Sequence, residues 1–106
     1  MSISIENIEN RKKITLNVEK FDVANMQEIK KNIQDEIADS AEDIVIDLSQ
    51  VSFIDSSGLS VIIAVFKQLK TDKHELELCG LQEQPMELLE ITQLHKIFTI
   101  VDNCNG

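Results

Sequence analysis

The chain has 106 residues, 42% of them hydrophobic but only 4% aromatic, so a single domain is expected, with a core built mainly from Ile, Leu and Val. A formal net charge of −9 sets it against nucleic acid and anionic membrane surfaces, which such a field repels; it favours protein partners and equally serves solubility. The opening MSISIEN has neither a basic n-region nor a continuous apolar h-region, and no stretch approaches transmembrane length, so a cytoplasmic chain is expected.

In chain order, Ile3, Ile5 and Ile8 precede a basic turn at Arg11, Lys12 and Lys13. Ile14, Leu16 and Val18 then alternate with Thr15 and Asn17, which predicts a hairpin with one buried face. A helix is predicted to begin near Val23 to Asn25, with Met26, Ile29, Ile33 and Ile37 at helical spacing, and to end around Asp39 and Ser40. Ile44, Val45 and Ile46 form a continuous apolar strand of the kind buried on both faces. Residues 55–58 turn into a second helix that runs from Leu59 through Ile62, Ile63, Phe66 and Leu69. Val61 and Val65 widen its apolar arc, either packing under a neighbouring element, which base rates favour, or meeting a partner.

Residues 75–79 read as a strand closed by Gly80, and Pro85 suits the first turn of a short helix carrying Met86, Leu88, Leu89 and Ile91. A last strand over 97–101 leads to a frayed tail over 102–106. This order predicts one α/β domain over 1–106: a small, mostly parallel or mixed sheet of four to five strands, packed by three or more helices, with right-handed crossovers. Cys79 and Cys104 lack C-x-x-C spacing, so neither zinc nor a thioredoxin-type site is predicted, and Cys79 reads as a small buried hydrophobe.

Residues 45–59 read VIDLSQVSFIDSSGL and deliver Ser56 and Ser57 to a helix start directly after a buried strand. The first amides of a helix lack internal partners and face outward with the positive end of the dipole, so a phosphate carried there is partly neutralised. On residue type alone, a Ser or Asp in this place is most often an N-cap contributing about 1 kcal/mol.

The segment resembles the signature of the STAS family, specifically its single-domain anti-sigma-factor antagonists, whose I-D-L-S-x-V-x-F-x-D-S-S-G-L string holds a phosphorylated serine. The resemblance implies Ser56 as phosphoacceptor, with Ser57 as the better cap and Gly58 allowing close approach of another backbone or side chain. Asp55 then holds the turn through backbone amides, orients the Ser56 hydroxyl, or both. Asp22 is carried over as well: members of the family often show G-x-L-D there, and this chain has EKFD, so Glu19 replaces the glycine and leaves the turn geometry open. Asp22 reads equally well as a helix N-terminal charge.

What the resemblance implies is a binding switch with no catalytic residue, cofactor or metal of its own. A surface of Asp22, Asp55, Ser56, Ser57, Gly58, Leu59 and Ser60 would dock on an anti-sigma factor, or on a similar serine kinase of the histidine-kinase ATPase type, and free its sigma factor or other effector. Phosphorylation of Ser56 would abolish docking, and a PP2C-like phosphatase would reverse it. The free protein is expected to be a monomer, although the wide arc on the second helix would permit a dimer. The competing reading is a constitutive STAS scaffold or accessory subunit of a stressosome-like or lipid-transport complex, which does not need the serine.

Enzymatic readings fail on the letters. A G-x-S-x-G elbow centred on Ser56 meets Ile54 at its first glycine position, and His74 and His95 are unmarked by context. A receiver-type phosphoaspartate at Asp47 lacks its acidic pair and supporting lysine, and no Walker or G-x-G-x-x-G string occurs.

Overall fold

The computed structural model describes residues 2–39 and 42–104. Its first elements, β1 (Ile3–Ile8) and β2 (Arg11–Leu16), form an antiparallel hairpin with Ile8 opposite Arg11. The turn is made by Glu9 and Asn10, Glu9 taking a left-handed backbone (φ 50), and the basic residues expected there lie inside β2. The reason is that alternate sides of the strand each offer an acid. Lys12 reaches Glu36 on the helical side (3.1 Å), while Arg11 and Lys13 reach Glu77 (3.1 Å) and Asp47 (3.6 Å) on the other.

The chain continues through β3 (Lys20–Phe21), α1 (Met26–Asp39), β4 (Asp43–Asp47), β5 (Phe53–Ile54), α2 (Ser56–Thr71), β6 (Leu76–Cys79), α3 (Glu83–Ile91), a 3-10 turn at Leu94–Lys96 and β7 (Thr99–Val101). The expected end of the first helix at Ser40, and Asn105 and Gly106 of the expected tail, lie outside the described residues. The main sheet has the order β1-β2-β4-β6-β7 and is parallel except for β1, which bears out the predicted small mixed α/β sheet. The very short β3 and β5, which periodicity does not reveal, pair in parallel as a separate ribbon.

The helical face of the sheet carries the core. Ile14, Leu16, Ile44, Ile46, Leu76 and Leu78 pack against Ile29, Ile33 and Ile37 of α1 and Ile62 and Leu69 of α2. Val61 and Val65 of α2 are 1% and 0% exposed, so the wide apolar arc is used inside the domain. Val45 points to the opposite face, where it is buried beside Arg11, Lys13, Glu77 and the segment after β7 rather than beneath a helix.

On that same face Cys79 and Cys104 form a disulfide, with Cα atoms 5.2 Å apart, so Cys79 is buried as expected but is a crosslink rather than simply a small hydrophobe. The cause is register: β7 lies beside β6 with Val101 opposite Cys79, so the chain just beyond β7 returns to that cysteine. No described helix is long and apolar enough to cross a membrane.

Candidate functional site

The site is built where β4 hands over to α2. Asp47 Oδ1 accepts from the Ser49 amide (2.8 Å), turning the chain out of the main sheet toward β5. Two strand residues cannot hold their place unaided, and β5 is secured on both edges. One edge pairs with β3. On the other, Gln84 at the start of α3 imitates a neighbouring strand: its Oε1 accepts from the Ile54 amide (2.8 Å) and its Nε2 donates to the Ile54 carbonyl (3.0 Å). Nothing in the sequence marks Gln84 for this, because a glutamine in a first helical turn is ordinary.

Asp55 follows in an extended conformation and is the N-cap of α2, its Oδ1 accepting from the Gly58 amide (2.9 Å). The helix therefore begins at Ser56 rather than after residue 58, and the cap is Asp55 rather than Ser57. A cap needs an acceptor three residues before a first-turn amide with its own backbone still extended, and Asp55 meets both conditions. Its second oxygen, Oδ2, accepts from the Val23 amide (3.2 Å), and its own amide donates to the Phe21 carbonyl (3.2 Å). Of the two roles expected for Asp55, the structure shows the holding of backbone amides.

These bonds bring Asp22 and Asp55 onto adjoining loops. The Asp22 carboxylate accepts from the Ala24 amide (3.0 Å), and its amide donates to Asn25 Oδ1 (3.1 Å), so the residue shapes the entry to α1. The missing glycine is no obstacle, since the Glu19 carbonyl accepts from the Ser52 amide (2.8 Å) and tethers the turn to the approach of β5.

Ser56 is exposed at the first position of α2, and no described residue hydrogen-bonds its hydroxyl or accepts from the amides of Ser56 and Ser57. Ser57 is half-buried and its carbonyl accepts from the exposed Ser60 hydroxyl (2.6 Å). Gly58 is packed so tightly that a Cβ there would stand 2.4 Å from the Phe21 carbonyl oxygen, which is the close backbone approach expected of it. Leu59, 7% exposed, faces the core. Gly58 and Leu59 thus support the surface from beneath, while Ser56 and Ser60 form its crest.

Sequence reading gave no surface role to two exposed apolar residues, one on the loop bonded to Asp55 and one two positions before it in β5. Val23, bonded to Asp55, is 73% exposed, and Phe53 is 40% exposed. The available signal was an apolar residue directly after Asp22, outside the helical repeat of α1. Among the described residues one group brings metal-ligating donors together, Asp47, Cys79 and Cys104, and its two sulfurs are bonded to each other. His74 pairs with Asp43 (3.5 Å) and His95 lies 3.4 Å from the Leu89 carbonyl.

The STAS domain family model matches residues 3–105. The anti-sigma-B factor antagonist of Bacillus subtilis is 30% identical over 107 residues, covering 100% of this chain and 97% of that protein. The anti-sigma-B factor antagonist of Listeria monocytogenes is 46% identical over 55 residues, which cover 52% of this chain and 48% of that relative, about half its length. Among solved structures, an anti-sigma-factor antagonist (STAS) domain protein from Planctomyces limnophilus superposes with a TM-score of 0.90 at 17% identity, over 97% of this chain and 92% of that one, and shows the common fold.

Proposed function

This chain belongs to the STAS domain family of anti-sigma factor antagonists, and on that footing we propose that it is a phosphorylation-controlled partner switch with Ser56 as the phosphoacceptor. The observation that carries this reading is the Ser56 hydroxyl itself. It is exposed at the first position of α2, beside two outward amides, while the capping work is done by Asp55. Neither Ser56 nor its neighbours need move for a kinase to reach it.

In the unmodified state the surface of Asp22, Asp55, Ser56, Ser57 and Ser60, joined by Val23 and Phe53 and held from below by Gly58 and Leu59, docks on an anti-sigma factor. That partner is a serine kinase of the histidine-kinase ATPase type, and docking frees its sigma factor or other effector. The kinase supplies the base and the nucleotide, and this chain acts as ligand and substrate without catalysing a step. Phosphorylation adds about −1.5 to −2 charge next to Asp55 on a chain whose net charge is already −9. Desolvating such a charge without a matching partner costs several kcal/mol, and each 1.4 kcal/mol is about tenfold in affinity. In the isolated domain the same phosphate meets the Ser56 and Ser57 amides and the positive end of α2, so the fold accepts it. A PP2C-like phosphatase resets the switch. The cycle operates in the cytoplasm, with the free protein a monomer.

Quantitative affinity capture from host lysate with wild type, Ser56→Ala and Ser56→Asp as baits tests this. Wild type and Ser56→Ala are expected to retain an anti-sigma, serine-kinase-like protein that Ser56→Asp loses. Equal capture by all three would reduce Ser56 to a helix-start residue and favour a constitutive scaffold.

A further inference from the structure

The face of the sheet turned away from α1 and α2 holds a cavity of about 200 Å³, lined among others by Ile8, Val45, Glu77, Val101 and Cys104. Asn103 and Cys104, just beyond β7, form one of its walls. Cys104 is fastened in two ways: by the disulfide to Cys79, and by Lys13 Nζ, which donates to its carbonyl (3.4 Å) while pairing with the buried Asp47 carboxylate (3.6 Å). The two sulfurs differ in access. Cys79 is 0% exposed within β6, whereas Cys104 is partly exposed, so a thiol approaches the bond from the Cys104 side.

The bond also closes at an informative place. Gly80, at φ +70, packs so closely that a Cβ there would lie 2.9 Å from Ser49 Cβ and 3.1 Å from Cys104 Sγ. Gly80 therefore stands close both to Cys104 and to Ser49, in the turn that carries the chain from β4 toward β5 and Ser56. The compartment assigned above keeps thiols reduced, and the disulfides found there are mostly transient or redox-sensing. To that extent the inference rests on the proposed function.

We propose that Cys79 and Cys104 form a reversible thiol–disulfide site. Oxidation straps 102–104 across the open face of the sheet, and a dithiol reductant releases the strap and opens the cavity. In reduction, a thiolate of the reductant attacks the Cys104 sulfur, making a mixed disulfide and expelling Cys79 as a thiolate that takes up a proton. The reductant's second thiol, as thiolate, then attacks its own sulfur in the mixed disulfide. It leaves as an oxidised disulfide and frees Cys104, which is protonated in turn. Two electrons pass from the reductant's sulfurs to those of the protein. A small-molecule disulfide such as oxidised glutathione drives the exchange in the opposite direction. The β6–β7 ladder sets Val101 opposite Cys79 through backbone pairing that does not involve the sulfurs, so the thiols are expected to stay near each other and the site to reclose without refolding.

The test uses the whole chain, poised with oxidised glutathione or with dithiothreitol, alkylated to count thiols by mass and followed by amide hydrogen exchange. The expected result is a folded protein that cycles between no alkylated cysteine and two. β4 and β6 remain the most protected elements in both forms, while amides of 102–104 exchange at least about tenfold faster when reduced. Cys104→Ser held with oxidised glutathione is expected to show the fast 102–104 exchange of reduced wild type, with one cysteine left in place of two. A bond that resists dithiothreitol until the protein unfolds, thiols that do not join in oxidised glutathione, or equal exchange of 102–104 in both forms would each overturn the proposal. None of these readings involves Ser56 or a partner, so a failure of the partner-switch reading registers separately.

Discussion

Asp55 bonds in two directions at once, to the Gly58 amide within its own helix and to the Val23 amide on the neighbouring loop. Removing the carboxylate in Asp55→Ala is therefore expected to cost about 1–2 kcal/mol, the range of a strong cap, and to lower the Tm by roughly 4–8 °C per kcal/mol in a domain of this size. Asp55→Asn keeps one carbonyl oxygen and so one of the two bonds, and its melting temperature by circular dichroism should fall between alanine and wild type. Ser56→Asp should melt within about 0.5 kcal/mol of wild type, because the residue is exposed and a negative charge at the start of a helix is favourable. A cooperative melt well below wild type would show that the site cannot hold an anion without refolding. That the 55–58 stretch turns the chain into a helix was legible from its letters, but which residue caps that helix was not. Asp, Ser and Ser all cap helices, and which one does so depends on where the backbone leaves the extended conformation.

At the scale of elements, the site depends on a ribbon of two very short strands, β3 and β5, with the side chain of Gln84 completing the edge. Gly58 joins this ribbon to α2, since a Cβ there would strike the Phe21 carbonyl. Alanine is the better helix former by about 1 kcal/mol, yet Gly58→Ala is expected to destabilise by about 1–3 kcal/mol through overpacking. Urea unfolding should show a lower midpoint at an unchanged slope; a gain in stability would mean that β3 moves aside at little cost. The longer elements were legible because three or more turns of helix, or several alternating strand residues, produce a period. Two-residue strands produce none, and the α2 start was placed late because Ser56 and Ser57 are polar and fall outside the apolar repeat that marks the rest of the helix.

Across the whole molecule, the sheet has two unlike faces. One meets the helices through Ile, Leu and Val, and the other is closed by Arg11 with Glu77, Lys13 with Asp47, and the Cys79–Cys104 bond. Reduction of that bond should lower global stability by about 2–4 kcal/mol, chiefly by relaxing a constraint on the unfolded chain. Thermal melts of the oxidised and reduced forms measure this directly, and coincident melts would show that the crosslink contributes nothing beyond its local hold on the strap.

By itself the sequence determined the order of the main elements, the apolar composition of the core and the place of the phosphoacceptor candidate, because each is written locally, in a period or in a contiguous string. Tertiary structure alone decided the rest. It paired the basic residues of β2 with acids on two different faces, brought the Asp22 loop against Asp55, and used Gln84 as a strand. It also returned Cys104 to Cys79. All of these depend on which strands become neighbours and in what register, a property of the assembled sheet that no local window of residues contains.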